Sequence, residues 1–240
     1  MGVSTLAFVG ATGGAGTTRL AVETAGTLAR DGRSVAVLDA AFATQGLATY
    51  VPESIRGDTT AVATGEATLP EATYDADFDV PGRVAFCPAH APFERIARAK
   101  TPEHAQAFGR AVADAADRYD HVLLDVPPVA ANQALAAVDT ARRRALVAPA
   151  TARGRDLLPQ QRGRLQDVDA PADAVVATRT DATDAVAIED ADHAIPEGDP
   201  NRTRPSALDP NTPLAPAVAD TAAALLEVDL DLSFDSGGLF

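Results

Sequence analysis

The feature that most constrains this chain is an apolar run, STLAFV at residues 4–9, that passes without a break into the glycine-rich stretch VGATGGAGTTRL, residues 9–20. A strand, then closely spaced glycines, then a helical pattern predicts a tight turn delivering the chain to the head of a helix. The unpaired N–H groups there, and the helix dipole behind them, favour an anion. A phosphate loop and a dinucleotide-binding glycine turn share this layout. The spacing suits both.

The remaining sequence repeats the alternation. LAVETAGTLARDG (20–32) has apolar residues at helical spacing and stops at Asp31-Gly32, and RSVAVLD (33–39) is the near-continuous apolar run of a strand covered on both faces. Residues 51–80 read as a short helix and loops, and RVAFCPA (83–89) as a strand. A helix follows over 101–118, with Thr101 as N-cap and Pro102 at its first position, and then a buried strand at HVLLD (121–125). Strands at 141–150 and 172–179 flank a helix at 153–168. Residues 180–212 read as loop-rich, ahead of a last helix near 213–227. Such alternation predicts an α/β fold: three layers, with a mostly parallel, doubly wound sheet and helices on both faces. One domain over 1–228 is expected, followed by a flexible acidic tail at 229–240.

No run of 18 apolar residues occurs, and no basic leader with a small-residue cleavage site precedes the first strand, so a soluble cytoplasmic protein is expected. Cys87, the single cysteine, ends the apolar run VAFC and reads as a buried thiol. His90, His104, His121 and His193 lack metal-ligand spacing. The formal charge is −14, from 34 Asp plus Glu against 20 Lys plus Arg, and Lys100 is the sole lysine. This acidic, lysine-poor pattern resembles proteins of salt-loving archaea, where concentrated salt screens the self-repulsion.

For the dinucleotide reading, Gly10, Gly13 and Gly16 form G-x-x-G-x-x-G, GATGGAG resembles the turn of extended short-chain dehydrogenases, and Asp39 would hold a ribose of NAD(P). That family's Tyr-x-x-x-Lys pair is absent, since Ile96 stands four residues before Lys100. For the phosphate-loop reading, TGGAGTT (12–18) resembles the deviant Walker A loop Lys-Gly-Gly-x-Gly-Lys-Thr of the ParA/MinD family of P-loop ATPases (SIMIBI class). VAVLDAAFATQGLATYV (35–51) is similar to the family's second strand and switch I, and YDHVLLDVPP (119–128) to its Walker B strand and switch II opening. Ile195-Pro196 falls where a late Ile-Pro is common. The similarity spans roughly residues 3–227 and favours a degenerate, haloarchaeal-type member of that family.

This resemblance implies a nucleotide site for ATP or ADP at Gly13, Gly14, Ala15, Gly16, Thr17, Thr18, Arg19 and Arg179. It also implies Mg2+ at Thr18, Asp39 and Asp125, with Asp39 and Asp125 as the catalytic carboxylates. Several departures bear on the chemistry. Thr17 replaces the Walker lysine, Thr12 the lysine that reaches across a dimer, and Ala41 the second switch I aspartate, so slow or absent hydrolysis is expected. Thr178-Arg179 replaces the Asn-Arg pair at the base. The family positions plasmids, division sites or surface machinery, which implies a protein partner and a possible homodimer. Its basic membrane helix has no counterpart in LEVDLDLSFDSGGLF. Arg142, Arg143, Arg144, Arg153, Arg155, Arg162 and Arg164 form a candidate surface for non-specific DNA, or else pair with nearby carboxylates. GGAGTT is similar to the loop of pilus-localisation relatives, which favours a scaffold role.

Overall fold

The computed structural model describes residues 4–51, 54–199 and 203–234. In chain order the elements are β1 (Ser4–Gly10), α1 (Thr17–Arg30), β2 (Ser34–Asp39), α2 (Thr59–Thr64), β3 (Tyr74–Asp75), β4 (Arg83–Cys87), α3 (Phe93–Ala99) and α4 (Pro102–Ala116). There follow β5 (His121–Val126), α5 (Asn132–Thr140), β6 (Arg143–Pro149), α6 (Ala152–Asp167), β7 (Ala174–Thr178), β8 (His193–Ile195) and α7 (Leu214–Leu226). Short 3-10 turns occupy Gly46–Tyr50, Pro70–Ala72 and Ser206–Leu208. The strands form one sheet in the order β3-β4-β2-β5-β1-β6-β7-β8, parallel throughout except where β3 pairs antiparallel with β4.

The sheet separates two apolar layers, and alternate residues of each strand feed them. Leu6 and Phe8 of β1 point with Val35, Val37 and Leu123 into the layer covered by α1 and α7. Ala7 and Val9 point with Leu38, Val122 and Leu124 into the layer covered by α4, α5 and α6. Burial on both faces explains why the strands read as continuous apolar runs. Fully burying a Phe or Leu side chain contributes on the order of 2 kcal/mol, so these layers supply most of the favourable folding energy. Small residues bring the helices close. A Cβ placed on Gly109 of α4 would meet the Thr140 hydroxyl of α5 at 3.1 Å.

Strand order decides between the two loop readings. Dinucleotide folds of the ordinary doubly wound kind keep β1 beside β2. Here β5 lies between them, with Phe8 of β1 and Asp39 of β2 both in register with Asp125. This order departs from the dehydrogenase-type alternative and places two aspartates side by side at the strand ends.

The elements β3, α3, α5 and β8 were not expected from sequence. β3 and β8 are only a few residues long, and α3 and α5 are short helices of 7 and 9 residues. Cys87 is buried, as expected, and burial pushes its thiol far above the ordinary range. Residues 229–234, the described part of the expected tail, contact α1 and the turn after it. Arg33 Nη2 donates to the Asp229 carbonyl at 2.9 Å, the Asp231 amide donates to Asp31 Oδ1 at 2.8 Å, and the Phe234 ring lies under Arg30. Residues 235–240 lie outside the described residues.

Candidate functional site

The glycine turn forms at the end of β1 because two of its residues take a backbone conformation that a Cβ would strain. Gly14 has φ 73° and Gly16 φ 92°, the latter as N-cap of α1 with no side-chain capping bond. The turn and the first residues of α1 border a cavity of about 400 Å3, lined by residues 12–19, parts of the 41–50 segment, Pro127, Pro128 and Arg179. The Ala11 amide bonds the Val147 carbonyl at 2.7 Å and ties the start of the loop to β6.

On one side of this cavity lies a corner of oxygen ligands. Thr18 Oγ1 donates to Asp125 Oδ2 at 2.5 Å, so the first turn of α1 is joined to the end of β5. Asp125 and Asp39 are both fully buried. Asp39 Oδ1 accepts from the Ala41 amide at 2.7 Å and Oδ2 from the Ala89 amide at 3.3 Å. Burial, then the neighbouring Asp125, raises the Asp39 carboxyl well above the usual range, and these backbone amides oppose the shift only in part. Burial likewise raises Asp125, against the Thr17 and Thr18 hydroxyls. Asp125 Oδ1 has no hydrogen-bond partner. Gly46 packs against the Thr18 hydroxyl, where a Cβ would come within 3.1 Å.

Two buried carboxylates with no basic side chain paired to either among the described residues, one with an unpartnered oxygen, suit a hard divalent ion that keeps part of its water shell. Among the described residues no cluster of three or more His, Cys, Asp or Glu exists that could hold a metal by itself. A cation in this corner would therefore draw its other ligands from water and from a bound anion.

On the opposite side, a second cavity of about 270 Å3 adjoins the loop and is walled by Leu20, Tyr50, Thr178, Ile195, Pro196 and Leu214 among others. Its floor is a finished ion pair. Glu23 is 1 % exposed; it accepts from Arg19 Nε at 2.6 Å, from the Ser206 amide at 2.9 Å and from the Ala207 amide at 2.7 Å. Arg19 also donates to Ser206 Oγ at 2.8 Å. Thr178 Oγ1 donates to the Ala15 carbonyl at 2.8 Å, and Arg179 Nη2 to the Gly14 carbonyl at 3.1 Å.

No protein-family model matches the sequence, and no curated protein matches it significantly. Solved structures do match. The cell division ATPase MinD of Pyrococcus furiosus superposes with a TM-score of 0.79 at 20% identity, covering 95% of this chain and 100% of that one. The septum site-determining protein MinD of Pyrococcus horikoshii, solved with Mg-ADP, gives 0.77 at 20% identity over 92% and 95% of the two chains. A ParA family ATPase of Chlorobium tepidum gives 0.74 at 17% identity over 92% and 99%. The fold is that of MinD and ParA.

Within this MinD/ParA fold, Gly13, Gly14, Ala15, Gly16, Thr17, Thr18 and Arg179 all border the loop cavity, and Asp39 and Asp125 lie side by side behind Thr18. Arg19 borders it too, but its guanidinium is turned to Glu23 and Ser206. Thr12 is 5 % exposed and donates to the Gly13 carbonyl. Of the seven arginines, Arg142 precedes β6, Arg143 and Arg144 lie at its start, and Arg153, Arg155, Arg162 and Arg164 lie on α6. Arg143 pairs with Glu227, Arg144 with Asp173, Arg155 with Asp156 and Arg162 with Asp190, while Arg164 donates to the Val129 carbonyl.

Sequence reasoning missed Glu23, Tyr50 and the Ser206-Ala207 amides. The Arg19 and Glu23 spacing of four residues on a helix was a usable signal for the first. No local signal marks amides that arrive from 183 residues away.

Proposed function

We propose that the chain is a ParA/MinD-like protein that binds an adenine nucleotide with Mg2+ and hydrolyses it slowly or not at all, serving to position a protein partner. The observation that carries this reading is the Thr18–Asp125 contact at the head of α1, with Asp39 alongside. The loop supplies main-chain donors for phosphates. Thr18 and Asp125 would hold the cation, and Asp39 would act through its water shell. When bound, the metal would neutralise charge on the phosphate oxygens. The apolar cavity beside Gly16 has the location and lining for a base.

Hydrolysis is a separate matter. Ala41 offers no carboxylate to a water, and neither Thr17 nor Thr12 brings charge to the phosphates, so transition-state stabilisation is lost from three positions together. Thr12 is folded onto its own loop and makes no reach outward, so a dimer would draw affinity from other contacts. Pairing of the arginines with carboxylates favours a protein partner over DNA.

Calorimetric titration in molar KCl with Mg2+ tests the reading. ATP and ADP should bind, NAD and NADP should not, and phosphate release should fall well below that of lysine-bearing relatives. Tight NADP binding without ADP binding, or vigorous ATP hydrolysis, would overturn it.

A further inference from the structure

We infer that Arg179 is the cation that holds the polyphosphate in this loop, delivered from the end of β7 rather than from the loop itself; this rests on the nucleotide-binding reading above. The cavity has an electrostatic problem. Two fully buried carboxylates, Asp39 and Asp125, lie behind its Thr18 wall, its loop carries no basic residue, and the whole chain is acidic. An anion brought there needs a positive group besides a single divalent ion.

Two basic residues border the cavity, Arg19 and Arg179. Arg19 is committed to Glu23, a buried carboxylate that also orders the Ser206-Ala207 turn, and pulling it away would leave Glu23 without its cation. Arg179 has no carboxylate within salt-bridge distance among the described residues. Its guanidinium rests on the Gly14 carbonyl, at the crown of the loop, and borders both the loop cavity and the adjoining apolar one.

The backbone supports the same assignment. Arg179 has φ 58°, a left-handed conformation that costs a branched or long side chain free energy and that persists where surroundings demand it. The preceding residue, Thr178, is fixed by its bond to the Ala15 carbonyl, and the turn at Arg179 folds the side chain back over the loop. A guanidinium offers a planar fork of donors that matches phosphate oxygens, and it stays charged at every physiological pH. The Gly14 carbonyl is a neutral acceptor that a phosphate oxygen can replace.

Affinity for the phosphates should therefore depend on position 179. Titrating adenosine, ADP and pyrophosphate into the wild-type chain and Arg179→Gln, in the same buffer with Mg2+, separates phosphate from base recognition. Arg179→Gln should weaken ADP and pyrophosphate about 10-fold or more and leave adenosine within about twofold. Adding Thr17→Lys to Arg179→Gln should restore most of the loss. Arg179→Lys, which keeps the charge, should fall between wild type and Arg179→Gln, and it carries the test if the Gln variant fails to fold. Equal ADP affinity in the wild type and in the substituted chain would overturn the inference alone. A loss for adenosine as large as that for ADP would also overturn it, by making Arg179 a base contact. Failure of the wild-type chain to bind any of the three would instead overturn the nucleotide reading beneath it.

Discussion

The molecule buries carboxylates in two neighbouring places, and they are built in opposite ways. Glu23 is enclosed with a guanidinium and two backbone amides, so its charge is met within the chain. Asp39 and Asp125 are enclosed with each other, with no basic side chain paired to either among the described residues, and one oxygen of Asp125 is unmet. The first arrangement is complete as it stands and serves to pin the 206–208 turn to α1. The second is the one that the proposed Mg2+ would complete. Burial alone therefore does not separate a structural acid from a functional one, whereas the balance of partners does.

The largest expected effect tests the Glu23 side. Glu23→Ala removes the carboxylate that Arg19 pairs with and leaves two amides without their acceptor, and should cost about 3 kcal/mol of stability. Guanidinium unfolding at fixed KCl measures it, and the loss should be the same with and without Mg2+. A Mg2+-dependent loss would blur the distinction between the two acids.

Asp125→Asn should do the reverse. It removes one charge of the uncompensated pair, so stability without Mg2+ should hold or rise, while Mg2+-dependent ADP affinity should fall about 100-fold. Calorimetry with and without Mg2+ reads both halves.

The pH dependence sharpens the contrast further. Burial and Asp125 raise the Asp39 carboxyl above its unfolded value of 3.8, so the folded chain holds that proton to higher pH than the unfolded chain does. The resulting stability is fully present below the unfolded value and declines as pH rises toward the raised one, by at most about 1.4 kcal/mol per pH unit for one proton. Melting curves without Mg2+ should show this decline above pH 4. Saturating Mg2+ should flatten it, because the ion favours the ionised pair.

The smallest effect belongs to the surface. Arg162→Ala removes a largely exposed pair with Asp190 and should change stability by less than about 0.5 kcal/mol in molar salt. A change as large as that of Glu23→Ala would mean that the α6 arginines do more than balance the acidic surface.

Much of this was legible in the chain itself. The run STLAFV into GATGGAG specified a strand, a tight glycine turn and a helix head, and the structure has all three, with Gly14 and Gly16 in the left-handed region. YDHVLLDVPP specified a buried strand ending in an acid, and Thr18 meets that acid. Alternation of strands and helices specified the layers. These features are local, because φ restrictions, apolar periodicity and helix caps are written within a few residues.

What the sequence left open was settled by packing. The glycine spacing suited two anion sites; the motifs beyond the loop already favoured one of them, and the insertion of β5 between β1 and β2 agrees, bringing Asp125 beside Asp39 and into contact with Thr18. Arg19 and Arg179 were equal candidates as letters. The turn at 206–207, brought in from the far end of the chain, claims Glu23 and with it Arg19, and leaves Arg179 over the loop. The sequence thus determined which chemical groups the site could contain, and the tertiary structure decided which charges remain unmet. Pairing of a buried charge depends on whatever side chain or amide arrives beside it, at any separation along the chain.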